Sequence, residues 1–168
     1  MEVQKQLDSV YTDRSKIPSV RGGQELQSAM VIIDNKTGDI VALVGGVGEK
    51  EGFDNWNRAL AKRQSGSSIK PLSVYAPAFE AGVITPATVV SDMPISYEGG
   101  CYPLNDNRTY QFSRTIYAGV TSSVNAVAAN TLDMAGISYC YDFAKNKFGL
   151  STLTRSYVMP NGTIKTDE

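Results

Sequence analysis

Histidine is absent from the 168-residue chain. That zero excludes a Ser-His-Asp triad, a His-ligated zinc site and imidazole acid–base catalysis. A serine enzyme built from these residues has to take lysine or a carboxylate as its base. Cysteine is nearly absent too: Cys101 falls in a Gly-rich loop and Cys140 in a predicted helix, a pair that matches no metal spacing. Sequence does not fix the short Cα separation that a disulfide needs, so their pairing stays open. Long apolar runs are missing. The longest, Met30–Ile33 and Ile40–Val44, fall far short of the ~18 residues that span a bilayer. Residues 1–12 are polar and charged, unlike a signal peptide. A net charge of −1 indicates neither nucleic acid nor an anionic membrane surface as partner. The length suits one domain with a sizeable core.

What is present starts with Val3, Leu7, Val10 and Tyr11, whose spacing predicts a short amphipathic helix over residues 2–12. Residues 13–27 read as a loop. Residues 29–34 and 39–44 are apolar and β-branched, and Asn35-Lys36-Thr37-Gly38 between them is hairpin chemistry with Gly at the φ > 0 position. Their continuous, non-alternating apolar pattern predicts a sheet covered on both faces. A helix is expected over about 68–81, then a long irregular stretch, 82–113, of the kind that is usually functional. Helices are expected at Thr115–Gly119, Val124–Met134 and Ile137–Phe148, punctuated by Gly119, Gly136 and Gly149. Residues 151–168 show no periodicity.

Arg63-Gln64-Ser65-Gly66-Ser67-Ser68-Ile69-Lys70-Pro71 is the stretch that carries chemistry. Residues at i and i+3 share a helix face, so Ser67 Oγ and Lys70 Nζ are expected to meet. Gly66 permits a tight turn into the helix, and Pro71 is tolerable in a first turn whose N–H groups lack partners. Those N–H groups also suit a developing oxyanion. The layout is that of a serine nucleophile with a lysine base; the plain alternative is a helix-capping serine beside a solvated lysine. A second constellation, Thr121-Ser122-Ser123-Val124-Asn125, puts a hydroxyl and an amide two residues apart at a helix start. They could relay a proton and hold a substrate carbonyl, or Ser123 could be an ordinary N-cap.

Ser-x-x-Lys opening one apolar helix and Ser-x-Asn opening another, 56 positions later, resemble the penicillin-recognising serine acyl-enzymes. The phrases Ile32-Ile33-Asp34-Asn35-Lys36-Thr37-Gly38-Asp39-Ile40-Val41-Ala42 and Asn57-Arg58-Ala59 resemble the transpeptidase domain of class A penicillin-binding proteins. Tyr102-Pro103-x-Asn105 and Ser123-Val124-Asn125-Ala126-Val127 continue the likeness, which runs over roughly residues 25–151. Lys36-Thr37-Gly38 spells the family's third motif but precedes the nucleophile and sits in a turn, so it reads as a turn only.

The resemblance implies an α/β (α+β) fold of the penicillin-binding-protein and serine β-lactamase type. It is expected to be incomplete, with an N-terminal hairpin of the central antiparallel sheet plus the helical subdomain. Residues 1–24 are expected to form an N-terminal helix and linker, and 25–168 a partial transpeptidase domain lacking the C-terminal strands and their Lys-Thr-Gly. The resemblance further implies a peptidoglycan D,D-transpeptidase acting on stem peptides. Ser67 would be the nucleophile, Lys70 the base, Ser123 the proton relay and Asn125 the substrate-binding amide. β-Lactams would acylate the same serine, and no cofactor or metal is implied. The parent would be extracytoplasmic, anchored to the cell membrane outside these residues, and joined to a glycosyltransferase domain. The alternatives are a serine β-lactamase or D,D-carboxypeptidase on the same fold, or a non-catalytic module that keeps it. As a base, Lys70 needs its pKa to fall from ~10.4 to nearer 7–8. Alone, the 168 residues are expected to be acylated poorly, and to self-associate or need a complementary C-terminal piece.

Overall fold

The structure, a computed structural model, describes residues 2–23, 25–50, 56–96 and 100–165. It divides into two compact units, Met1–Gln64 and Ser65–Glu168.

In the first unit, α1 (Glu2–Thr12) presents the buried side chains Leu7 and Tyr11. Strands β1 (Met30–Ile33) and β2 (Ile40–Val44) pair antiparallel, with a register shift between Ile32 and Ile33. The turn between them forms as its sequence predicts. Gly38 sits at φ +79° and donates its N–H to Asp34 O at 2.8 Å, while Asp34 Oδ1 accepts from Lys36 N–H. Lys36-Thr37-Gly38 is therefore turn, not strand. Leu7, Tyr11, Ala42, Val44 and Val47 form one apolar cluster. The Gln4 side-chain amide donates to Leu43 O at 3.1 Å and accepts from Leu43 N–H at 2.9 Å, so a helical side chain stands in for a peptide group of a third strand.

The sheet departs from the two-sided cover expected of it. Met30, Val31, Ile33, Ile40 and Val41 are exposed within the described residues. The run of apolar residues thus reflects β-propensity as well as burial.

The second unit opens with one helical stretch whose winding changes along its length. A 3₁₀ turn at Gly66–Ile69 gives way to a π turn at Pro71–Tyr75 and then to α2 (Ala76–Glu80). A uniform α-helix over 68–81 is excluded by Pro77, which has no N–H for the carbonyl four residues back. The ladder lengthens instead, and Ala76 N–H reaches back to Pro71 O.

The stretch expected to be irregular contains a hairpin. β3 (Val89–Asp92) pairs antiparallel with β4 (Phe112–Thr115), and the chain between them folds back on buried polar groups. Thr115 then caps α3 (Ile116–Thr121), its Oγ1 accepting from Ala118 N–H at 3.2 Å. α4 (Asn125–Ala135) and α5 (Ile137–Lys147) follow, joined at Gly136, where φ is +88°. A short hairpin, β5 (Tyr157–Val158) and β6 (Ile164–Lys165), pairs where the sequence shows no periodicity.

Val74, Tyr75, Ala78, Ile84, Val90, Ile116, Val124, Val127 and Ala128 make the core of this unit. It clamps the serine-bearing helical stretch against the start of α4. Gly119 permits close approach of α3 and α4: a Cβ there would lie 2.5 Å from Val127 Cγ1. Cys101 is exposed, Cys140 is buried, and both thiols are free.

Candidate active site

Gly66, at φ +55°, turns the chain into the 3₁₀ turn that carries Ser67. That conformation is open to glycine at no steric cost. Ser67 is exposed, and Lys70, at the end of the turn, is half-buried. The expected Ser67–Lys70 hydrogen bond is not formed among the described residues; the link between the two is the backbone bond from Lys70 N–H to Ser67 O.

The Lys70 side chain instead crosses to the start of α4. Its Nζ donates to Ser123 O at 2.7 Å, Ser123 Oγ at 3.3 Å and Asn125 Oδ1 at 2.5 Å. An ammonium has three hydrogens, and this geometry engages all of them. Burial pulls the Lys70 ammonium below the ordinary lysine range. The three acceptors favour the charged form, so desolvation and hydrogen bonding oppose each other on one group.

Ser123 is not the N-cap of α4. That position belongs to Val124, which supplies no side-chain bond. Ser123 lies one residue earlier with φ +51°, in the left-handed region that a non-glycine residue seldom adopts. Its hydroxyl and carbonyl are thereby both turned to Lys70. Asn125, the first residue of α4, is oriented from its other end, where Nδ2 donates to Leu104 O at 2.7 Å. With the NH₂ held there, Oδ1 has to face Lys70. The structure thus brings Lys70, Ser123 and Asn125 together in one hydrogen-bonded cluster, and among the described residues the Ser67 hydroxyl takes no part in it. Leu104 is a contributor that sequence reasoning missed. It acts through a backbone carbonyl, for which side-chain identity carries no signal.

Residues 28–161 match the family model described as the penicillin binding protein transpeptidase domain. The chain belongs to this family. Penicillin-binding protein 1A of Clostridium acetobutylicum is 36% identical over 162 residues, covering 89% of this chain and 20% of that protein. Penicillin-binding protein 1F of Bacillus subtilis is 32% identical over 167 residues, 99% of this chain and 21% of the relative. The chain thus spans about a fifth of the length of these curated relatives.

Among solved structures, penicillin-binding protein 1A from Haemophilus influenzae superposes with a TM-score of 0.63 at 34% identity, over 73% of this chain and 18% of that one. PonA1 from Mycobacterium tuberculosis, in complex with penicillin V, gives 0.65 at 20% identity over 97% of this chain and 41% of its own. The likeness to PonA1 is one of fold. The fold expected from the sequence, the α+β penicillin-binding transpeptidase type, is the one the molecule has.

Proposed function

We propose that the full-length gene product is a peptidoglycan D,D-transpeptidase acting through a serine acyl-enzyme on Ser67. The observation that carries this reading is the convergence of Lys70 Nζ on Ser123 and Asn125, 53 and 55 residues away in sequence; the backbone N–H of the same lysine is bonded to the Ser67 carbonyl.

In the reaction, Lys70 first loses one proton to bulk water, and its lone pair becomes available. Ser67 Oγ attacks the carbonyl carbon of the penultimate D-Ala of a stem pentapeptide, and its proton passes to Lys70 Nζ. The tetrahedral adduct collapses as the C–N bond to the terminal D-Ala breaks, with the proton travelling through Ser123 Oγ to the leaving amine. An amine of a neighbouring stem then attacks the ester, gives its proton to the same relay, and Ser67 Oγ is reprotonated as the cross-link forms. Asn125 orients the substrate amide. A positioned acid–base group of this kind contributes about 10²–10⁴-fold. The Ser123 contact suits a relay, since Nζ donates to Oγ when charged and accepts from it when neutral.

β-Lactams acylate the same serine. The substrate of the reaction lies outside the cytoplasmic membrane. The likeness to class A penicillin-binding proteins supports an extracytoplasmic protein with a membrane anchor and a glycosyltransferase domain outside these residues. No helix among the described residues is long and apolar enough to cross a membrane.

Fluorescent-penicillin labelling of the full-length gene product, with mass-spectrometric mapping, tests the reading. Label on Ser67, absent from Ser67→Ala, is the expected result. Label persisting on the alanine variant overturns the assignment. Rapid loss of label from the wild type would instead mark a hydrolase.

A further inference from the structure

Asp92, the last residue of β3, is fully buried at 0% exposure. A buried carboxylate persists only where its oxygens are satisfied. Its Oδ2 accepts from Arg114 Nε at 2.8 Å and from Gln111 N–H at 3.0 Å, and its Oδ1 from Asn105 Nδ2 at 2.7 Å. Asn105, also buried, donates from Nδ2 to Thr109 O as well, at 2.8 Å. Both hydrogens of the Asn105 amide are thus committed, so its carbonyl has to point the other way. There Oδ1 accepts from Ala126 N–H at 3.0 Å.

Ala126 is the second residue of α4, and its N–H is one of those that a helix start leaves without an internal partner. Since Val124 offers no side-chain cap, Asn105 caps α4 from a loop 21 residues earlier. The residue before it, Leu104, holds the Asn125 amide. One clip of two consecutive residues therefore grips both the backbone of the first turn and the side chain that meets Lys70.

Resting on the transpeptidase reading, we infer that Asp92 and Asn105 are positioning residues for acylation. The Asp92 carboxylate sets the orientation of the Asn105 amide. Asn105 then sets the start of α4, so that Ser123 and Asn125 meet Lys70. Neither residue touches substrate. A misplacement near 1 Å at a reacting centre can cost about 10²-fold, which is the scale available to such a clip.

The test is stopped-flow acylation of the full-length gene product by a fluorescent penicillin over a range of concentrations. It separates non-covalent affinity from the saturated acylation rate and records the fraction labelled at completion. Asn105→Ala keeps both Oδ2 bonds of Asp92, to Arg114 and Gln111, while Oδ1 loses its Asn105 partner, so the labelled fraction reports any loss of fold separately from the rate. This variant should label Ser67 to completion with near-unchanged affinity, while the saturated rate falls about 10–100-fold. A wild-type saturated rate with only a smaller labelled fraction shows that the clip merely holds the fold and overturns the inference. Full labelling at the wild-type rate overturns it as well. If the wild type itself takes no label on Ser67, the transpeptidase reading fails first and this inference goes with it.

Discussion

Lys70 Nζ lies 2.5 Å from Asn125 Oδ1, 55 residues along the chain, and forms no hydrogen bond with Ser67 among the described residues. When Nζ donates to all three of these oxygens, the lysine is charged and has no lone pair for a serine proton. The nucleophile is activated only after one of those hydrogens departs, and the longest contact, to Ser123 Oγ at 3.3 Å, is the one most readily reversed.

Acylation of Ser67 should therefore rise with pH and level off. Protonated Lys70 has no lone pair, so the reaction fails on the acid side. Burial lowers the Lys70 pKa from 10.5, which puts the acid limb below the ordinary lysine range. Saturated acylation rates measured across pH check this. A limb at or above the pKa of free lysine would show that burial does not tune the base.

Lys70→Arg should be nearly as damaging as Lys70→Ala, each lowering the acylation rate at least about 10²-fold. Arginine preserves the charge and could reach Ser123 and Asn125, but it does not release a proton near neutral pH. An arginine variant acylating close to the wild-type rate would assign Lys70 a purely electrostatic role. The two variants are compared in the same penicillin-labelling assay.

Tyr75 is 4% exposed, and its hydroxyl is buried without a hydrogen-bond partner among the described residues. Removing an unsatisfied buried group recovers a desolvation penalty of about 1–3 kcal/mol, so Tyr75→Phe should leave stability unchanged or raise it. Burial also pushes the phenol up to about 12 from 10.0. Between those values the folded state binds more protons than the unfolded one, so stability falls as pH rises through that window. Denaturant midpoints of the wild type should drop between pH 10 and 12 by more than those of the phenylalanine variant.

Gly119→Ala should destabilise the protein by about 1–3 kcal/mol, as over-packing does, because its new methyl would meet Val127 Cγ1 at 2.5 Å. Combining it with Val127→Ala makes room for that methyl. The double variant should lose less stability than the two single changes added together, since the residues touch. Additive losses in chemical denaturation would place the strain elsewhere.

The parts of the fold legible in the sequence are those set by local rules. α1 follows from Leu7 and Tyr11 at helical spacing, and the β1–β2 turn from Asn35 to Gly38. α4 and α5 follow from apolar periodicity broken at Gly136. Ser67, Lys70, Ser123 and Asn125 were legible as types at characteristic spacings. Their mutual geometry was not, because Lys70 chooses its partners across a tertiary contact rather than along a helix face. The β3–β4 hairpin was illegible for a related reason. Asp92 and Arg114 lie 22 residues apart, and their pairing follows from burial of the carboxylate, to which neither periodicity nor turn chemistry refers. The π turn at Pro71–Tyr75 was readable in principle from Pro77, whose missing N–H displaces the ladder before it.

Ser123 holds its backbone at φ +51°, a region that costs a non-glycine residue of the order of 1 kcal/mol or more. Glycine would sit there without strain but would deprive Lys70 of its hydroxyl neighbour. Stability and chemistry thus favour different residues at one position. Screening variants of this protein for thermal resistance alone would enrich Gly at position 123, and the most heat-tolerant survivors would be poor at acylation.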